Sequence, residues 1–118
     1  MSQSQYIGVY ENRHAPTQKT KPYRVALKRY VNSKPEYTNI GYFNTEAAAA
    51  YVYNIYALNT FGKGAVINKL DITDDIEEEL EEFIQEKAGI EVLVERAIEL
   101  IEAHGHEIKT HDEVVRDS

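Results

Sequence analysis

GYFNTEAAAAYVYNIYALNTFGKGAVIN, residues 41–68, carries a helix start, a helix body and a helix stop in one uninterrupted run. Asn44, Thr45 and Glu46 supply side-chain oxygens that can accept hydrogen bonds from the backbone N–H groups left over at a helix N-terminus. Ala47 to Ala50 are strong helix formers, and Ala49, Val52, Tyr53, Tyr56 and Ala57 recur at the three-and-four spacing of one buried face. Small residues on that face let the helix lie close against a sheet. Gly62 and Gly64 can adopt backbone angles closed to other residues, so the helix ends and the chain turns back through Ala65, Val66, Ile67 and Asn68.

Upstream, Tyr6-Ile7-Gly8-Val9-Tyr10 is short, β-branched and aromatic and reads as a first strand whose glycine permits close packing. Residues 11–22 contain two prolines and no apolar periodicity, which makes them a loop with basic residues at Arg13, Lys19 and Lys21. Residues 23–31 alternate: Tyr23, Val25, Leu27 and Val31 face one way, and Arg24, Ala26, Lys28 and Tyr30 the other. Asn32-Ser33-Lys34-Pro35 is a turn, and residues 37–43 form a third strand that pairs with the second as a hairpin. The expectation is an α+β domain over residues 1–70, a three-stranded antiparallel sheet packed on one helix.

An antiparallel sheet tolerates one face without cover. Here that face would show Arg24, Lys28 and Tyr30 from the second strand and Tyr37 and Asn39 from the third. Basic and aromatic side chains on a twisted ribbon about as wide as a DNA major groove suit nucleic acid, and a plain solvated sheet face has the same composition. Charge divides the chain in the same place. The net charge of −7 combines nine Lys/Arg against three Glu in residues 1–70, a net +6, with four Lys/Arg against seventeen Asp/Glu in residues 71–118, a net −13. All nine tyrosines lie between Tyr6 and Tyr56. The asymmetry points to a head that tolerates polyanions and a tail that repels them.

Several of these residues carry a resemblance. Tyr6-x-Gly8-Val9, Gly41-x-Phe43-Asn44-Thr45, Ala49-Ala50-x-x-Tyr53-Asn54, Ala57-Leu58, Gly62 and Ala65-Val66-Ile67-Asn68 fall in the order and spacing of the Apetala-type, or ethylene-response-factor-like, DNA-binding domain, also found in phage and mobile-element proteins. Over residues 6–70 the chain resembles that family. The resemblance implies a sheet docked in the major groove and read out by strand arginines and tryptophans. Ile7, Tyr10, Asn12 and Tyr37 stand where the family usually has arginine, Asn39 where it often has tryptophan, and Ala26 where it often has glutamate or arginine. Lys28 keeps a positive charge, and Arg24 matches an arginine of phage-type members. Two functions follow as expectations. In one, a phage-type regulatory protein contacts duplex DNA through Tyr10, Arg24, Lys28, Tyr30, Tyr37, Asn39 and the basic loop. In the other, the same scaffold and the acidic tail bind a host protein complex, as in a small anti-defence, anti-CRISPR-like inhibitor, because a Tyr-rich, Arg-bearing face has the composition of an interface hot spot.

In residues 71–118, Thr73-Asp74-Asp75 starts a helix that should run to about Lys87, and a second amphipathic pattern runs from Ile90 to Gly105. Alternatively Ile76, Leu80, Phe83, Lys87, Ile90, Val94, Ala97 and Ile101 keep heptad spacing broken only by Lys87, which suits one long helix pairing with a second copy as a homodimer. The tail can also pack its apolar stripe on the head and expose its acids, or use those acids to imitate phosphate.

No cysteine is present, which excludes disulfides and thiolate metal sites and suits the cytoplasm. No apolar run approaches the roughly 20 residues of a membrane span, so no membrane contact is expected. His104, His106 and His111 lie at a helix end and beyond it without partner ligands elsewhere, and His104 can act as a charge cap. With no nucleophile elbow or phosphate loop, neither enzymatic activity nor a cofactor is expected. The segment after Gly105 reads equally as a short strand or a disordered end.

Overall fold

The chain doubles back at Asn32 and Ser33, whose φ values of 53° and 67° give both central residues of the turn the left-handed conformation of a type I′ hairpin. This turn joins β3 (Tyr23–Val31) to β4 (Lys34–Phe43) in register from Val31↔Lys34 to Tyr23↔Phe43. The computed structural model describes residues 2–3, 6–11, 22–70, 73–105 and 107–110. The basic loop residues Arg13, Lys19 and Lys21 lie outside the described residues, as do His106 and His111.

β2 (Val9–Glu11) pairs antiparallel with β3, and the two-residue β1 (Ser2–Gln3) adds to β2, giving the order β1-β2-β3-β4. The expected three strands are thus present, with one short strand added beyond the first. Pro35 sits in β4, at the sheet edge, where a strand tolerates a residue without an N–H. Between Val25 and Ala26 the register slips: Val25 faces Gly41 while Ala26 faces Asn39. Ile40 is the extra residue of this β-bulge. Its carbonyl accepts a hydrogen bond from Lys87 Nζ at 3.1 Å.

α1 (Glu46–Phe61) starts at Thr45, whose hydroxyl accepts the Ala48 N–H, and stops at Gly62 with φ 62°. A 3-10 turn (Gly62–Gly64) and β5 (Val66–Ile67) follow. The sequence pattern points to one buried face on α1, but Ala48, Ala50, Ile55 and Leu58 are buried along with Ala49, Val52, Tyr53 and Ala57. These positions encircle the helix, because α1 lies between two layers: the sheet on one side and the C-terminal helices on the other.

α2 (Asp74–Glu86) and α3 (Ile90–His104) form that outer layer, separated at Gly89 with φ +84°. The long continuous helix of the dimer expectation is therefore not formed. Ile76, Leu80, Ile90 and Ala97 are buried within the chain, and the Phe83 ring lies 5.2 Å from that of Phe43. Most of the residues assigned to a homodimer seam are already occupied by the chain's own core. Val94 is half-buried and lines a narrow groove between α1 and α3, and Ile101, on the same groove, is 47% exposed. Polar contacts tie the layers: Asn59 Nδ2 donates to the carbonyls of Ile55 and Leu93, both at 2.8 Å. β6 (Lys109–Thr110) pairs parallel with β5, so this part of the C-terminal segment is a strand.

Candidate nucleic-acid interface

Register decides which side chains share the uncovered face. Opposite Arg24, Ala26, Lys28 and Tyr30 of β3 stand Tyr42, Asn39, Tyr37 and Pro35 of β4, and Tyr10 of β2 stands beside Arg24. α1 packs on the opposite face, against Val9, Val25, Leu27 and Phe43. The strand tyrosines, asparagine, arginine and lysine expected as binding residues are therefore brought together. Glu11 and Glu36 pair with Tyr23 and Arg29 and belong to the covered face. Among the described residues of β2, β3 and β4, the open face carries two cations and no carboxylate.

Tyr42 belongs to this surface although strict alternation from Tyr37 and Asn39 puts it on the other side. The bulge at Ile40 changes the parity, turning Tyr42 outward and Gly41 and Phe43 inward. Tyr30, Tyr37 and Tyr42 are 66%, 56% and 42% exposed.

The cations are held by the rings around them. Lys28 Nζ lies 5.2 Å from the centroid of Tyr30 and 5.8 Å from that of Tyr37, and the Arg24 guanidinium lies 5.5 Å from that of Tyr10. Attraction between a cation and the electron-rich face of a ring fixes where each charge points. Hydrogen bonding to the Tyr30 phenol, then charge interaction with Tyr30 and Tyr37, raises the Lys28 ammonium above its ordinary value of 10.5. It stays charged at neutral pH.

β2 ends its pairing at Val9, where the Gly8 carbonyl still accepts the Ala26 N–H at 3.0 Å, while β3 runs on. In the gap beyond Val9, the Tyr53 ring of α1 packs against Gly8 so closely that a Cβ there would lie 2.1 Å from Tyr53 Cδ2. Ala26 and Gly8 are the two smallest residues in this neighbourhood, and Tyr10, Lys28 and Tyr37 stand tall around them. The result is a well of about 320 Å³ with Ile7 and Tyr53 in its wall. Ala26, only 3% exposed, is covered by these taller neighbours. Burial, and next the nearby Tyr10 phenol, raises the Tyr53 hydroxyl above its ordinary value of 10.0. Ile7 and Tyr53 become members of this surface only through the fold.

Asn68 holds the N-terminal segment in place. Its Oδ1 accepts the Ile7 N–H at 2.8 Å, and its Nδ2 donates to the Ile7 carbonyl at 3.1 Å, so one amide side chain substitutes for a neighbouring strand. Asn54 in turn bonds the backbone of Asn68 with both its amide atoms, at 2.7 and 2.9 Å. These asparagines of the motif therefore position β2 and the well from behind.

The described acids of α2 and α3 sit elsewhere. α2 packs against α1 and reaches the covered face of β4, where Phe83 lies against Phe43 and Gly41. Glu79, though buried, is bonded to the start of α1. His104, in the last turn of α3, pairs through Nδ1 with Glu107 Oε2 at 3.1 Å. Among the described residues, no helix is long and apolar enough to cross a membrane.

Compared with known proteins, the chain matches no family model, no curated protein and no solved structure.

Proposed function

We propose that this chain is a non-enzymatic, intracellular DNA-binding protein of phage-type regulatory character, which contacts DNA through the open face of β2, β3 and β4. The observation that carries the reading is the separation of charge by layer. The open face presents Arg24 and Lys28, each braced by tyrosine rings, with no carboxylate among its described residues, and the C-terminal helices stack behind α1. A β3–β4 ribbon of this width enters a major groove with Asn39 and the exposed tyrosines toward the bases. The motif resemblance over residues 6–70 supports the same surface.

Fluorescence anisotropy with a labelled mixed-sequence duplex at low salt tests it. Saturable binding is expected, with log K falling against log salt at a slope of roughly −2 if Arg24 and Lys28 are the only phosphate partners and steeper if the basic loop joins them. Each single replacement by alanine should flatten the slope by about one. Absence of binding at the lowest salt, or a slope indifferent to both replacements, overturns the proposal.

A second reading rests on the exposed tyrosines. Three large phenols beside two cations form a surface of hot-spot composition, which fits a partner protein such as a host defence complex. Under that reading, Tyr30→Ala and Tyr37→Ala abolish capture of the partner in a medium where added duplex does not compete.

A further inference from the structure

Resting on the reading that the open sheet face binds DNA, we infer that the well over Ala26 is a pocket for a single unpaired nucleobase, so that DNA carrying an unstacked base is preferred over an uninterrupted duplex. Shape is the first argument. A cavity of about 320 Å³ is at the lower end of small-ligand sites, which span roughly 300–1,000 Å³, and the flat base edges of a paired groove floor would leave it unfilled. The lining is the second. Tyr10 stands beside the residue two before Ala26, and Tyr37 opposite the residue two after it, so a planar group entering the well meets a phenol ring on either side. Stacking of this kind takes any base, since each has a π-face.

The polar groups fit the rest of a nucleotide. Lys28 lines the well, held between Tyr30 and Tyr37, where it meets the phosphate that follows an extruded base. The phenols of Tyr10 and Tyr53 offer hydroxyl donors to the carbonyl oxygens of a pyrimidine. Among the described residues, no acidic side chain lines the well. Readout by arginine, the usual reader of paired guanine, is weak here, because Arg24 is stacked on Tyr10. A face rich in phenols and poor in free guanidinium is built for stacking.

The experiment compares three labelled probes on the full chain at one salt concentration: a fully paired 15-base-pair duplex, the same duplex with one unpaired central thymine, and single-stranded oligo-dT of twelve bases. The unpaired-thymine duplex is expected to bind roughly 5- to 150-fold tighter than the paired one, the range that one stacked base contributes. Ala26→Leu, which fills the well, and Tyr37→Ala, which removes an exposed wall, should each bring the ratio of the two affinities toward one. Thermal melting of each variant confirms folding, and Glu99→Gln on α3 serves as a control that leaves all three affinities unchanged. Equal binding of paired and unpaired duplexes, or a ratio unmoved in both folded variants, overturns the pocket while leaving DNA binding intact. Absence of binding to all three probes overturns the DNA reading itself, and the pocket with it.

Discussion

The Glu79 carboxylate of α2 accepts hydrogen bonds from both the backbone N–H and the hydroxyl of Thr45, at 3.2 and 2.9 Å, and its other oxygen accepts the Asn44 N–H. A residue of the acidic tail thereby meets backbone donors exposed where α1 begins, the position at which helix geometry leaves N–H groups unpaired and favours negative charge. Glu79→Ala removes these charged acceptors from a partly buried site. The expected loss is about 2 kcal/mol of unfolding free energy, read from the midpoint of urea denaturation.

Removing residues 71–118 should abolish cooperative folding. The deletion strips Ile76, Leu80, Ile90, Ala97 and Ile108 from the core and exposes Ile55 and Leu58 on α1. At about 1.5–3 kcal/mol for each large aliphatic side chain, the loss matches or exceeds the 5–15 kcal/mol that typically stabilises a domain. Circular dichroism of residues 1–70 should show no sigmoidal thermal transition, so truncation is a poor way to ask whether the acids screen the head.

Gly8→Ala should destabilise by about 3 kcal/mol, because φ is +77° and the added methyl meets the Tyr53 ring. Tyr53→Ala removes the collision and leaves the backbone strain. A double-mutant cycle should therefore show the two changes to be less than additive, with the residual cost reporting the positive φ alone.

At the hairpin, Ser33 holds φ 67° beside Asn32 at 53°, and glycine is the residue that takes this second position of a type I′ turn with least strain. Ser33→Gly should raise stability by about 0.5 kcal/mol, the relief of strain exceeding the added freedom of the unfolded chain. The melting temperature should rise by a few degrees.

Alkaline pH should unfold the chain through its buried phenols. Burial raises the Tyr53 and Tyr56 hydroxyls above their ordinary value of 10.0, so their neutral forms are favoured in the folded state. For a raised pKa the contribution is whole below the unfolded value and is lost as pH climbs through the folded one. Stability from urea titrations should hold to about pH 9 and fall above 10, and Tyr53→Phe should make that fall shallower.

Much of this was legible in local pattern. The bounds of α1 and the alternation of β3 each follow from residues a few positions apart, whereas around Gly89 the same local pattern allowed two helices or one. The encirclement of α1 had a signal too: Ile55 and Leu58 fall off the face defined by Ala49, Val52 and Tyr53, and a helix apolar all round needs cover on every side. Tyr42 could not be placed that way. Its direction depends on the bulge at Ile40, which in turn serves the packing of Phe43 against Phe83 and the bond from Lys87. The well was equally invisible, since it exists only because β2 stops short and a helix side chain fills part of the gap.

The supports of the tyrosine face arrive late along the chain. Ile7 is held by Asn68, 61 residues further on, and Asn44 by Glu79, 35 residues further on, whereas β3 and β4 meet across a two-residue turn. A chain synthesised from its N-terminus therefore closes the hairpin first and secures it only after the acidic segment has emerged. During translation the tyrosine ribbon is made early and made rigid last, which leaves nascent and prematurely terminated products as the forms most open to chaperones and proteases.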